Sequence, residues 1–205
     1  MPSNTWHIHE ILGRRLRVHD TLSNFQLILE LFQDDYFDNE ERAEVLLTML
    51  YPNPQGFIEA YRDEAKEALS ETLWDCFGID IDGTRPHEDA ALDFDEDKAK
   101  ITATIRAAYG LSYDELLNLP YTEAMTLLML APEETPMGQA LKYRLGKPPT
   151  GKHITREERC AWEEGRRFYR LKGTPNNHHT KDQVQQENDV ATRAFEERKR
   201  RLNRG

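Results

Sequence analysis

The fold is decided by residues 92–144, which read LDFDEDKAKITATIRAAYGLSYDELLNLPYTEAMTLLMLAPEETPMGQALKYR. Apolar residues of the first half recur at helical spacing and so share one helix face: Ile101, Ile105, Ala108 and Tyr109. Gly110 follows them, and glycine takes the left-handed conformation that ends a helix at little cost. A short apolar helix is predicted over Met125–Leu130, and an amphipathic turn over Met137–Arg144. Acids precede the first helix and bases end the last, as helix dipoles favour, and nothing here is typical of an active site.

Upstream of this stretch, the chain predicts a β-hairpin and three helices. Residues 6–18 alternate in polarity on both sides of Gly13, which supplies the turn. Apolar stripes at helical spacing predict helices over about 21–33, 38–50 and 54–77. Helices with such short connections form a small antiparallel bundle.

Downstream, the chain becomes polar and charged. Residues 146–151 are a linker by composition. A capping box at 155–158 opens a helix that reaches about Leu171. Beyond a polar connector, residues 182–203 have helical propensity and end in a basic cluster: Arg198, Lys199, Arg200 and Arg201.

The predicted fold class is mainly α. It is a small multi-helix bundle with a short N-terminal β-hairpin and a charged, helical C-terminal extension. The predicted domains are an acidic helical core with the hairpin at 1–145, a linker and charged helix at 146–171, and a flexible connector with a basic helical tail at 172–205.

Charge is distributed unevenly along the chain. Residues 1–150 carry 28 acidic and 13 basic side chains, a net charge of −15, whereas residues 151–205 carry 9 acidic and 14 basic ones, a net charge of +5. The acidic body repels phosphate backbones, so we do not expect nucleic acid as its ligand. The cluster at 198–201 fits either a nucleic acid or acidic surface, or an ordinary basic helix end.

No apolar run approaches the roughly 20 residues of a membrane span, and the N-terminus has no apolar signal-peptide core. We therefore expect the protein in the cytoplasm where it is made, with no membrane partner.

One short motif is typical of an enzyme. Asp80-Ile81-Asp82-Gly83-Thr84 matches the DxDGT signature of haloacid-dehalogenase-type phosphatases, in which the first Asp is the nucleophile. That chemistry requires a buried parallel strand before the motif, and this chain predicts a helix end there. As a calcium loop it places Gly78 where a carboxylate is needed. We interpret it as a solvated acidic loop and predict no catalytic residue.

Metal and cofactor sites are not indicated either. His7 and His9 share one strand face, but no third ligand is near them, so we expect them to face solvent. Cys76 and Cys160 are far apart and outside any CxxC, which indicates neither a disulfide framework nor a zinc site. We predict no cofactor and a non-enzymatic protein.

Residues 92–144 resemble the gene product fifteen family of tailed bacteriophages, whose members are encoded near the tape-measure gene and considered tail assembly chaperones. The matching pieces are DFDED at 93–97, AYGL at 108–111, LLMLAPEETP at 127–136 and YR at 143–144. A weaker likeness extends over residues 14–171. Where the family favours a pair of tryptophans before the Leu127 helix, this chain has Tyr121 and Thr122.

The resemblance implies a tail assembly chaperone that binds the phage tape-measure protein and keeps it soluble until tail-tube subunits polymerise around it. It implies that the protein is located in the host bacterial cytoplasm and is absent from the mature virion. It is also compatible with self-association of the protein. The acidic charge would steer the protein towards basic segments, while helix stripes offer helix-in-groove contacts. Four aromatic residues are candidate partner contacts, with a place in the core as the alternative for each: Trp74, Tyr109, Tyr113 and Tyr121.

Two other classes stay open. A structural minor tail or connector protein of the virion would have the same amino-acid composition as a chaperone. A nucleic-acid-binding adaptor would use the basic cluster at 198–201 and bind in a salt-dependent way.

Overall fold

A two-stranded hairpin and a series of helices build the fold. A computed structural model describes residues 5–85, 91–151 and 153–172. The elements from the first strand to the last helix belong to one compact unit that ends at Arg170. In chain order they are β1 (His7–Ile11), β2 (Arg14–Val18), α1 (Leu22–Gln33), α2 (Asn39–Leu50), α3 (Pro54–Tyr61), α4 (Ala65–Phe77), α5 (Lys98–Tyr109), α6 (Tyr113–Leu117), α7 (Tyr121–Met129), α8 (Pro136–Leu145) and α9 (Arg156–Tyr169).

This architecture confirms the predicted fold class, mainly α with an N-terminal hairpin. The part of that prediction that falls after residue 172 lies outside the described residues. None of the helices in the described ranges is long and apolar enough to cross a lipid bilayer.

The hairpin forms where the sequence predicts it. β1 and β2 pair antiparallel, with His7 opposite Val18. Leu12 and Gly13 form the turn with φ values of 47° and 74°, because a two-residue turn that follows the strand twist needs positive φ at both positions. Ile11 and Val18 are buried and attach the hairpin to the helices.

Several helix ends follow the local signals in the sequence. Thr21 caps α1 by accepting a hydrogen bond from the Asn24 backbone N–H. Asp38 and Thr155 open α2 and α9 with complete capping boxes. Gly110 ends α5 with a φ of 70°. Each signal acts within a few residues of chain, which is why it can be predicted without the fold.

The single helix predicted over residues 54–77 is wrong. α3 ends at Tyr61, a short 3-10 turn covers Arg62–Glu64, and α4 begins at Ala65. The Tyr61 hydroxyl donates a hydrogen bond to the Ile11 carbonyl at 2.7 Å, so α3 is attached to the hairpin. Apolar residues keep their helical spacing through the break between α3 and α4. The local sequence pattern therefore does not predict the contact between Tyr61 and Ile11, or the helix end that goes with it.

Two further helices differ from the sequence prediction. The helix predicted over Met125–Leu130 begins at Tyr121, directly after Pro120, whose carbonyl accepts the first helical hydrogen bond. α6 was not predicted at all, although Ser112 and Glu115 form a capping box at its start.

The core is centred on α1, which packs on α2, α6 and α7. Phe25 is buried in α1, with its ring centroid 5.9 Å from that of Phe77. The Leu22 N–H donates to the Leu119 carbonyl, which fixes the start of α1 beside the start of α7. α5 packs on α8, and α9 packs on α8 as well.

Candidate functional site

Tyr121, one of the four candidate partner contacts, contributes to the core. Its ring centroid lies 4.3 Å from that of Phe25 and 5.7 Å from that of Phe77. Burial raises the pKa of its hydroxyl. Its ring therefore stabilises the packing of α1, α4 and α7.

Tyr109 and Tyr113 join helices in the same part of the fold. The Tyr109 hydroxyl donates to the Leu127 carbonyl at 2.9 Å, which links α5 to α7. The Tyr113 hydroxyl accepts a hydrogen bond from Gln26 Nε2, which links α6 to α1. Both rings are half-buried, so a partner would reach only their outer edges.

Trp74, the fourth candidate, lies on α4 under a cation. The Arg85 guanidinium carbon is 4.4 Å from the centroid of the indole ring. Arg85 also pairs with Glu71 on the same helix. Trp74 thus holds the loop after α4.

The end of α7 exposes more apolar surface than these aromatic rings do. Leu130 is 73% exposed and Met129 is 40% exposed. The Tyr109 hydroxyl lies 2.9 Å from the Leu127 carbonyl and 3.5 Å from that of Leu130. It therefore occupies carbonyls that a helix end leaves without partners. We call Tyr109, Met129 and Leu130 the α7 end patch.

The sequence contains a signal for the α7 end patch, but the choice of aromatic residues as partner contacts did not use it. Residues 127–130 are four consecutive apolar residues at a helix end. Successive residues of a helix point in directions about 100° apart, so four in a row cannot all face one core. Leu128 is fully buried, and Leu130 is left outside.

Carboxylates follow the patch along the chain. Glu133 and Glu134 are both exposed, and Glu133 pairs with Lys142 of α8. That hydrogen bond raises the pKa of Lys142. Apolar side chains beside carboxylates suit an amphipathic helix with Lys or Arg next to its apolar stripe.

An ion pair deep in the fold supports this part of the bundle. Asp97 is fully buried and accepts hydrogen bonds from Arg144 and Lys100. Burial alone would raise the pKa of Asp97, but the bonds from Arg144 and Lys100 outweigh it and lower the pKa to about 2. Arg144 Nε also donates to the Tyr169 carbonyl at 2.6 Å, and Arg144 Nη1 donates to the Ala91 carbonyl. One guanidinium thus joins α8, α9 and the start of α5.

The expectation that His7 and His9 face solvent is wrong. His7 Nδ1 contacts one Asp20 carboxylate oxygen, and His9 Nε2 lies 2.9 Å from the other. Asp20 is only 4% exposed. Burial raises the pKa of Asp20, but the hydrogen bonds from His9 and His7 outweigh it, so the pKa is lowered. The strand histidines therefore attach the hairpin to the segment before α1.

The phosphatase-like motif forms a closed loop on α4. The Asp80 carboxylate accepts hydrogen bonds from the backbone N–H groups of Asp82, Gly83 and Arg85. The Asp82 carboxylate accepts a hydrogen bond from the Ser70 hydroxyl at 2.6 Å. The residues before the motif are the end of α4, where the phosphatase chemistry requires a strand. Asp80 therefore organises its own loop.

The two cysteines of the chain lie in different environments. Cys76 is buried, and burial raises the pKa of its thiol to about 12, whereas Cys160 is exposed on α9. Within the described ranges, no group of three or more His, Cys, Asp or Glu side chains is arranged to hold a metal ion. The basic cluster Arg198, Lys199, Arg200 and Arg201 lies outside the described residues.

Comparisons with protein-family models, with curated proteins and with solved structures found no match to this chain.

Proposed function

We propose that this protein is a tail assembly chaperone of a tailed bacteriophage, which binds the tape-measure protein and keeps it soluble until the tail tube polymerises around it. The resemblance of residues 92–144 to the gene product fifteen family motivates the proposal.

One observation carries it: the separate pieces of that resemblance contact one another. The piece at 93–97 meets the piece at 143–144 through Asp97 and Arg144. The piece at 108–111 meets the piece at 127–136 through the Tyr109 hydroxyl. Pieces that resemble a family in their order and also pack together are expected of a shared structural unit, so these contacts support the proposal.

The α7 end patch supports a binding role within this proposal. A tape-measure protein, as the resemblance implies it, is a very long helical chain whose apolar seams invite aggregation. Leu130 and Met129 would cover part of such a seam, and Glu134 would face a basic residue beside it. Each contact is small, so many copies along one chain would be needed. The net charge of −15 over residues 1–150 would keep the coated chain soluble.

The proposal places the protein in the host cytoplasm during assembly and outside the finished particle. A structural minor tail or connector protein is the alternative, and it would remain in the particle at a fixed copy number.

The test pairs a pull-down from infected-cell lysate, with this protein as bait, with a mass-spectrometric inventory of purified particles. We expect tape-measure protein in the pull-down and no bait in the particles. Bait in the particles at fixed copy number would replace the chaperone with the structural alternative. A pull-down without tape-measure protein would contradict both the partner and the role.

A further inference from the structure

The hairpin carries hydrogen-bonding groups that point away from it along β2. Ile11 and Arg14 flank the two-residue turn and face each other in the register, so they form a hydrogen-bonded pair. Such pairs alternate with pairs whose backbone N–H and C=O groups point away from the partner strand. The N–H and C=O groups of Arg15 and Arg17 therefore point outwards from β2.

This outer edge of β2 is open. Within residues 5–85, 91–151 and 153–172, no backbone group outside the hairpin pairs with Arg15 or Arg17. α4 packs against β1, whereas the main neighbour of β2 is β1 itself. An open strand edge is a template for pairing with another chain.

The edge is basic although the body of the protein is acidic. Residues 11–19 read ILGRRLRVH and contain three arginines but no acid. The Arg14 guanidinium lies over the Tyr61 ring and is thus held within the fold. Arg15 and Arg17 are exposed, and in the described part of the chain neither forms an ion pair or a side-chain hydrogen bond. Their charges are free for a ligand.

These charges decide which strand can pair with the edge. Antiparallel pairing of two β2 strands would place arginines beside arginines, and like charges on opposite strands destabilise a sheet. Arg15 and Arg17 are exposed on one face of the hairpin, whereas Leu16 between them packs against the core. A strand beside β2 would therefore place carboxylates next to the two arginines and an apolar side chain next to Leu16.

We propose that the outer edge of β2 binds an extended acidic peptide, which adds a third strand and alternates carboxylate with apolar side chains. The outward N–H and C=O groups of Arg15 and Arg17 hold its main chain, and their guanidinium groups hold its carboxylates. A phosphate backbone fits less well, because phosphate oxygens cannot donate hydrogen bonds to the two carbonyls. This inference does not depend on the proposed function.

The test titrates the labelled peptide SEVEVEVES into the full-length chain. The peptide SEEVVVEES has the same composition without the alternation. A version of the alternating peptide with methylated backbone nitrogens keeps the side chains but has no backbone donors. We expect the alternating peptide to bind at least about tenfold more tightly than either control. Equal affinity of the three peptides would overturn the proposal.

A pair of charge reversals tests the arginines. The double variant Arg15→Glu with Arg17→Glu should bind the alternating peptide at least about tenfold more weakly than wild type. Arg106→Glu, at an exposed position on α5, is the matched control and should bind like wild type. A double variant that circular dichroism shows to be folded and that binds with unchanged affinity would contradict the proposal.

Amide hydrogen exchange of the wild-type chain needs no variant. The bound peptide should slow exchange at the Arg15 and Arg17 amides by at least about tenfold, and change Leu16 little because its N–H already pairs with β1. Unchanged exchange at Arg15 and Arg17 in the peptide-saturated chain would show that no strand is added. A single-stranded oligothymidylate that displaces the peptide at equal charge concentration would assign the two arginines to phosphate instead, which also overturns the proposal.

Discussion

The Arg144 guanidinium lies against the fully buried Asp97 carboxylate, with Nη2 and Oδ1 2.9 Å apart, although 47 residues separate them in the chain. Lys100 adds a further bond to the same carboxylate at 2.8 Å. The pair closes α5 against α8. It also brings together the first and last pieces of the family resemblance.

Asp97→Asn should therefore be strongly destabilising. It leaves the Arg144 charge in a largely buried place without its counter-ion, and breaking such a pair costs about 3–5 kcal/mol. In urea denaturation, we expect the free energy of unfolding to fall by about 3 kcal/mol, the lower end of that range. Asp95→Asn, at an exposed position two residues earlier, is the matched control and should change it little. A loss of less than about 1 kcal/mol for Asp97→Asn would contradict the account.

The same carboxylate predicts a pH dependence. The pKa of Asp97 is about 2 in the folded protein, below its ordinary value of 3.8. As pH falls, the unfolded chain takes up the proton first, so this carboxylate stabilises the fold above about pH 4 and loses that effect towards about pH 2. The difference in unfolding free energy between wild type and Asp97→Asn should shrink over that range. A difference independent of pH would contradict the low pKa.

Asp20→Asn tests the attachment of the hairpin. The change removes the charge that His7 and His9 share in a buried position. Hydrogen bonds to charged groups contribute about 1.5–3 kcal/mol each, so we expect a loss of about 2 kcal/mol in urea denaturation. Asp35→Asn, at an exposed position after α1, is the control. Equal stability of the two variants would show that the histidines do not depend on Asp20.

Arg62→Gly should stabilise the protein. Arg62 is exposed and has a φ of 47° and a ψ of −114°, a conformation that glycine adopts far more readily than other residues. Relief of this strain is expected to raise the free energy of unfolding by about 1 kcal/mol relative to Arg62→Ala, which keeps the Cβ. If Arg62→Gly proves less stable than Arg62→Ala in thermal and urea unfolding, the break between α3 and α4 is not strained.

The sequence predicts those parts of the fold that depend on neighbouring residues. Thr21, Asp38, Gly110 and Thr155 each act through backbone groups within about one turn of helix, so these helix ends lie within a few residues of their predicted positions. The hairpin follows from alternation around Gly13 in the same way.

Features that depend on distant residues were missed. In the sequence, the charges of Asp97 and Arg144 suit the helix dipoles, and nothing in the local spacing reveals that each has a partner 47 residues away. Tyr61 ends α3 where its hydroxyl reaches Ile11, and apolar spacing does not mark that end. The α7 end patch also depends on residues that are distant in the chain. The aromatic candidates hold helices together, whereas the exposure of Leu130 required the packing of α7 to be known.

The most direct test of the proposed function is the soluble yield of tape-measure protein when it is co-expressed with this chain. Wild type should raise that yield, and Leu130→Glu should abolish the gain because it places a charge in the α7 end patch. Ile58→Glu, at a 41% exposed apolar position on α3, is the matched control and should act like wild type. Equal yields with and without this chain would contradict the chaperone function, and a Leu130→Glu variant as effective as wild type would remove the α7 end patch from it.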